Sequence, residues 1–222
     1  MKITTNDYRL ASRQLIAADT SEITLAPIHP REFDFIPGQH LELELASERR
    51  SFSIASAPQA NSALKIAFRH SPSAFKQNLL AAPLGTPLVV QGPYGVFTLP
   101  REVKSAAFIA GGIGITPFRA MLEAIQNQSV PHQMLNLLYA NHAPASAAYL
   151  PELRAWAAAG RVNLREHYGR IDAATINGLV RASRAELYFI AGPVVMTNVA
   201  LELLLAAGVA RGQILIEQFT GY

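Results

Sequence analysis

The chain has 222 residues, half of them apolar, a formal net charge of +3 and no cysteine. That length suits two compact domains or one large one, and the missing thiols exclude structural disulfides, a cysteine nucleophile, thiolate zinc sites and cysteine-ligated iron–sulfur clusters. Any redox chemistry has to use a bound organic cofactor. The N-terminus, Met1 to Tyr8, has no apolar core of signal-peptide length, and no later run is long and uniform enough to span a bilayer. A cytoplasmic protein is therefore expected. No Lys/Arg run with interleaved aromatics points to nucleic acid.

To about residue 100 the pattern is one of short strands. Tyr8 to Ala18, Ile23 to Ile28, Gln39 to Leu45, Arg50 to Ala55, Leu64 to Arg69 and Pro87 to Gln91 are bounded by turn residues such as Pro37-Gly38, Pro58 and Gly85. Leu41, Leu43 and Leu45 alternate with Glu42 and Glu44, giving one apolar and one polar face. Six such strands predict a small closed antiparallel β-barrel. One helix interrupts them from about Ser73 to Ala82, with Ser71 or Ser73 as N-cap.

After Leu99-Pro100 the rhythm changes. Strands at Ala106 to Ala110, Met134 to Tyr139, Val162 to His167, Leu187 to Ala191 and Ile214 to Glu217 alternate with helices near Pro117 to Gln126, Leu150 to Ala159, Ile171 to Val180 and Val194 to Ala207. Gly208 stands at a helix C-terminus. This predicts a Rossmann-like parallel sheet, with a barrel domain over 1–99 and an α/β domain over 100–222.

The stretch Ala110-Gly111-Gly112-Ile113-Gly114-Ile115-Thr116-Pro117 joins a buried strand to a helix through three glycines. A backbone without Cβ atoms at a helix start is a receptor for phosphate; it is equally a tight turn that binds nothing. In the first domain Arg50-Ser51-Phe52-Ser53 falls on a strand. Arginine offers a fork of donors to a pyrophosphate, phenylalanine a flat face and serine a small hydroxyl.

Over nearly its whole length the chain resembles the ferredoxin-NADP reductase family of flavin-dependent NAD(P)H oxidoreductases. Arg50-Ser51-Phe52-Ser53 is similar to that family's Arg-x-Tyr-Ser flavin motif. Gly92-Pro93-Tyr94-Gly95-Val96-Phe97 resembles the turn that closes its barrel, and Gly111 to Pro117 its nicotinamide-nucleotide loop. Ala191-Gly192-Pro193 with Met196, and the terminal Glu217-Gln218-Phe219-Thr220-Gly221-Tyr222, resemble its last strand, loop and tail.

The resemblance implies FAD against the barrel, with Arg50 on its pyrophosphate, Phe52 packed on the isoalloxazine and Ser53 near flavin N5. Ser51 belongs to the same motif; Ala67, Phe68 and Arg69 would line the rest of the flavin, and Ser73, Ala74 and Phe75 would donate N–H groups to the pyrophosphate. Gly111, Gly112 and Gly114 would receive the pyrophosphate of the nicotinamide dinucleotide, with Thr116, Gly192 and Pro193 bordering its ring. Tyr222, or failing that Phe219, would cover the flavin face. Hydride would pass from nicotinamide C4 to flavin N5, with Ser53 and Tyr222 closest to the chemistry, and electrons would then leave singly to a separate acceptor. A small acidic redox protein such as ferredoxin or flavodoxin, or a small molecule, would take them.

The chain departs from the family pattern at several points. Phe52 replaces tyrosine and Ala191 a cysteine beside the nicotinamide; Asn141-His142 stands where NADP-preferring members place serine and arginine. The missing arginine tilts the expectation from NADPH to NADH, with Arg170 or Arg165 as substitutes, while the acidic residue that marks many NAD sites is also absent. Glu217 either steadies a cofactor or is a charge facing water. The histidines lack metal-ligand spacing, so no metal is expected. Two alternatives stay open: a reductase that treats free flavin or a quinone as substrate, and a non-catalytic flavin-binding subunit of a larger complex.

Overall fold

The leucine–glutamate alternation resolves into a strand whose Leu41 and Leu43 are fully buried, while Glu42 and Glu44 are turned to the other face. The computed structural model describes residues 3–29, 33–126 and 134–220. Its first unit contains β1 (Thr4–Ala17), β2 (Thr20–Pro27), β3 (His40–Leu45), β4 (Glu48–Ser53), β5 (Leu64–Arg69), helix α1 (Ala74–Ala81) and β6 (Pro87–Tyr94). The strands form one antiparallel sheet in the order β4-β3-β6-β1-β2-β5. It curls round Tyr8, Leu10, Ile23, Leu25, Ile66 and Val90.

The barrel predicted as closed has a seam. No ladder joins β4 to β5; beyond the end of β4, the Ala55 N–H donates to the Lys65 carbonyl at 2.7 Å, and Lys65 N–H to Ser56 Oγ at 3.1 Å. Helix α1 adds Phe75 and Leu79 to the barrel core. Arg13 Nη1 donates to the Leu79 and Ala82 carbonyls at the helix's C-terminal end, where cations suit the macrodipole. The Gly92-Pro93-Tyr94 turn proves to be the end of β6, with Tyr94 opposite His40.

Strand β7 (Ser105–Gly111) leads through one 3₁₀ turn (Gly112–Gly114) into α2 (Ile115–Gln126). Then come β8 (Met134–Asn141), α3 (Leu150–Ala158), β9 (Asn163–Tyr168), α4 (Ala173–Ser183), β10 (Leu187–Pro193), α5 (Val194–Ala206) and β11 (Ile214–Phe219). The five strands are parallel in the order β11-β10-β7-β8-β9. Ala107, Ile109, Leu138 and Ile190 of the sheet share a core with Ile176 and Leu179 of α4 and with Ala200 and Leu204 of α5. Asp172 caps α4 by accepting the Thr175 N–H at 2.8 Å, and Gly208, at φ +87°, follows the end of α5.

By internal packing the first unit takes in the residues up to Thr98 and, in addition, α2 from Thr116 onward; the second holds Leu99–Ile115 and the described residues after α2. Phe118 of α2 lies 5.8 Å from Phe97. A Cβ on Gly38 would stand 2.0 Å from the Phe97 carbonyl oxygen and 2.4 Å from Met121 Cε, so only glycine, here at φ +101°, lets the chain pass beneath this helix.

Candidate functional site

In the first unit the residues expected around a flavin gather at the seam. The β3–β4 register sets Arg50 opposite Leu43 and Phe52 opposite Leu41, so both share the inner face of this edge strand. The Phe52 ring is 5.7 Å from Phe68 on β5 and 6.1 Å from Phe75 on α1. The Arg50 guanidinium lies 5.5 Å above the Phe75 ring, exposed, where it also pairs with Glu48 at 3.3 Å and donates to the Arg49 carbonyl at 2.6 Å. Phe52 itself is only 8% exposed, packed rather than open.

Ser51 and Ser53 point to the opposite face from Arg50, Ser53 directly across from His40. The His40 imidazole stacks on Tyr94 at 5.8 Å, and burial lowers its pKa. On β5, Ala67 and Phe68 are buried, while Arg69 is held by Asp19 at 2.6 Å. Ser73 takes the N-cap position of α1 but makes no side-chain cap, leaving the first N–H groups, from Ala74 and Phe75 onward, without one. Ser71 Oγ, next to that helix start, is buried with no partner among the described residues. An exposed guanidinium, an uncapped helix N-terminus and an orphaned hydroxyl fit a phosphate group.

In the second unit the chain runs β7, β8, β9 outward on one side and returns to place β10 on the other side of β7. That reversal is the switch point at which open α/β sheets bind ligands, beyond the carboxyl ends of the strands. Both glycine segments lie there: Ala110 pairs with Ala191, which brings Gly111 beside Gly192. A Cβ on Gly114 would fall 2.2 Å from the Ala191 carbonyl oxygen, and one on Gly111 2.4 Å from Met196 Cε. Gly111, Gly114, Gly192 and Met196 thus interlock. Gly112 differs: at φ +53° it has no atom within 4 Å of where a Cβ would sit. It faces open space at the helix start, as a cradle for a pyrophosphate requires.

Beside these loops Glu217 of β11 is in register with Ala191, and burial pushes its carboxyl up to about 7. Phe219 is in register with Pro193, which forms the N-cap of α5. Thr116 is buried in the first turn of α2. Asn141, at the carboxyl end of β8, is buried with its Nδ2 unpaired among the described residues. Arg165 is drawn to the Thr175 carbonyl, 3.4 Å away, beneath Gly178, whereas Arg170 is exposed. Tyr222 lies outside the described residues. Among the described residues no group of three or more His, Asp or Glu could hold a metal ion, and no helix is long and apolar enough to cross a membrane.

The flavohem-like FAD/NAD-binding domain of nitric oxide dioxygenase from Vibrio cholerae superposes with a TM-score of 0.81 at 20% identity, covering 96% of this chain and 98% of that one. The fold is ferredoxin-NADP reductase-like. Its residues 108–202 match the oxidoreductase NAD-binding domain family. The anthranilate 1,2-dioxygenase electron transfer component of Acinetobacter baylyi is 33% identical over 131 residues, 57% of this chain and 38% of that protein. The propane 2-monooxygenase reductase component of Mycolicibacterium smegmatis is 27% identical over 226 residues, 91% of this chain and 64% of the relative. The chain therefore spans from over a third to under two thirds of the length of these relatives.

Three features of this fold are not legible in the sequence. By sequence Ser71 is a cap candidate; in the structure its hydroxyl is buried with no partner among the described residues. By sequence Asn141 stands out for the charge it lacks; in the structure it buries an unpaired amide among the described residues. The boundary at residue 100 puts α2 in the α/β half, whereas its body packs in the first unit. A polar residue next to a helix start, or inside an apolar strand end, is the signal that could have marked the first two.

Proposed function

We propose that the chain is an FAD-dependent NAD(P)H oxidoreductase that draws hydride from a nicotinamide nucleotide and passes electrons to a separate acceptor. The observation that carries the reading is the close approach of Gly111 and Gly192 just past the paired Ala110 and Ala191 at the switch point, beside the open backbone of Gly112, within a match to an oxidoreductase NAD-binding domain. The relatives named above, an electron transfer component and a reductase component, support it.

Arg50, the first-turn N–H groups of α1 and Ser71 would hold the flavin phosphates; Phe52, Phe68 and Phe75 form the apolar floor beside them. Ser53 presents its hydroxyl on the other face of β4, for the ring edge. Gly112 and the N–H groups behind it would receive the dinucleotide phosphates, and Glu217 would keep a proton at the edge of the site near neutral pH. Bound flavin supplies the conversion between two-electron hydride chemistry and one-electron delivery. The protein's part is alignment and polarity, with no general acid or base needed for the hydride step.

NADH is the preferred nucleotide in this reading, because Asn141 and His142 offer no guanidinium for a 2′-phosphate and Arg165 is engaged by α4. The acceptor is a small acidic redox protein or a small molecule, and the chain functions in the cytoplasm. The test is anaerobic addition of NADH or NADPH to the protein reconstituted with FAD. Loss of the flavin's visible absorption supports the reading; an unchanged spectrum with both nucleotides refutes it. A second reading, free flavin as substrate, draws on the engagement of Arg50 by Glu48 and the Arg49 carbonyl, which weakens its hold on a phosphate. Flavin that separates from the protein on gel filtration would favour it.

A further inference from the structure

Ser53 to Ala57 are buried without exception, yet past Ser53 they belong to no strand. A buried, irregular segment must find partners for its backbone groups elsewhere. Ile54 N–H donates to the carbonyl of Gln39, just before β3, at 3.0 Å, and Ala55 N–H to that of Lys65 in β5 at 2.7 Å. Two further groups reach α2. Arg119 Nη1 donates to the Ala55 carbonyl at 2.6 Å, and Glu123 accepts the Ala57 N–H at 2.6 Å through Oε2. The same Oε2 takes Arg119 Nη1 at 3.2 Å, which closes a clamp of two side chains on three residues of main chain.

This pair is poorly placed to serve its own helix. Arginine lies nearer the N-terminus and glutamate nearer the C-terminus, the order that opposes the macrodipole and the weaker one for an (i, i+4) pair. Arg119 is also 4% exposed, and burying a guanidinium is costly unless each partner is well set. What the pair does is fix the two residues that follow Ser53 at a distance.

Resting on the flavin reading above, we propose that Arg119 and Glu123 are positioning residues, which from α2 hold the Ser53–Ala57 main chain where the Ser53 hydroxyl meets the flavin. Helix α2 also begins at the nucleotide loop, so one helix carries the glycine turn at its start and this clamp one to two turns later.

The test uses apoprotein titrated with FAD and, separately, with NAD⁺, on the parent chain and on Arg119→Met, Arg119→Lys, Glu123→Gln and the Met/Gln double variant. Arg119→Met is expected to weaken FAD binding about tenfold, the range for losing a hydrogen bond to a charged group, while NAD⁺ affinity stays within about twofold. Lysine should recover part of the loss, and the double variant should bind FAD no worse than Arg119→Met, because it no longer strands the Glu123 charge. A merely structural role would lower the melting temperature and leave the FAD affinity of the folded protein, and its flavin absorption spectrum, as in the parent; that result overturns the proposal. Should Arg119→Met fail to fold, Glu123→Gln decides: it keeps an acceptor for Ala57 but loses the ion pair, and parental FAD affinity in it refutes the clamp. A parent chain that binds no FAD overturns the flavin reading and this proposal with it, whereas parental binding with unaffected variants overturns the positioning role alone.

Discussion

Replacing Gly114 by alanine separates the packing role of the glycine loop from its binding role. The added methyl would sit 2.2 Å from the Ala191 carbonyl oxygen, 2.5 Å from its carbonyl carbon and 2.8 Å from Gly192 Cα. All three are backbone atoms of a central strand pinned by β7 on one side and β11 on the other, so no side-chain rotation relieves the overlap. Overpacking of that kind costs about 3 kcal/mol, a fall of about 10 °C in melting temperature for a unit of this size. Gly112→Ala is the control: its methyl meets no atom within 4 Å, and the strain comes from φ +53° alone, about 1 kcal/mol. Its methyl instead occupies the open space proposed for the pyrophosphate. Calorimetric melting with NAD⁺ titration of both variants should therefore show a large loss of stability for Gly114→Ala, and for Gly112→Ala a small one with binding weakened about tenfold or more. A Gly114→Ala chain that melts within about 2 °C of the parent would refute the interlock, and a Gly112→Ala chain with parental affinity would refute the cradle.

The pH dependence of stability follows from Glu217. Its folded-state pKa of about 7 stands above the ordinary 4.5, so the folded chain holds a proton that the unfolded chain releases. The stability is fully present below 4.5 and lost as pH rises to about 7; discounted for partial exposure the loss is about 2–3 kcal/mol. Denaturant unfolding of the parent and of Glu217→Gln should give curves that coincide at low pH and separate across this window, with the glutamine variant more stable above it; parallel curves would show that the carboxyl is solvated. Arg50→Ala should shed FAD on dialysis while melting within about 1 °C of the parent, because its pair with Glu48 is exposed; a variant that keeps its flavin removes Arg50 from the phosphate site. Asn141→Arg should shift the ratio of kcat/KM toward NADPH by about tenfold, and an unchanged ratio would place the 2′-phosphate away from β8.

Strand and helix identities were open to reading from period alone, because each buried face repeats at two or 3.6 residues. Leu64–Arg69 has the bounds the sequence predicts, and Val194–Ala206 differs by one residue. The differences arise where tertiary hydrogen bonds extend an element past its apolar pattern: β1 begins at Thr4 because Thr4 and Thr5 pair with Gly92 and Gln91, and β6 reaches Tyr94 because His40 waits opposite. The incomplete closure of the barrel has the same origin. Beyond Ser53 the chain keeps strand-like composition in Ile54 and Ala55, but its hydrogen bonds are divided among Gln39, Lys65 and α2.

The motifs themselves show why a glycine loop is legible and its job is not. Three glycines within four residues predict a tight turn, yet in the structure Gly111 and Gly114 are small because Met196 and Ala191 press on them, and of the three only Gly112 is open. Packing alone accounts for two of the three, so the case for a ligand rests on Gly112, beside whose Cβ position no atom stands within 4 Å. Arg119 is the converse case. It is a charged residue among Thr116-Pro117-Phe118-Arg119-Ala120-Met121-Leu122, and residues 113–122 are all buried. A charge in so buried a stretch needs partners, and Glu123 and the carbonyl two residues past Ser53 are among those of Arg119.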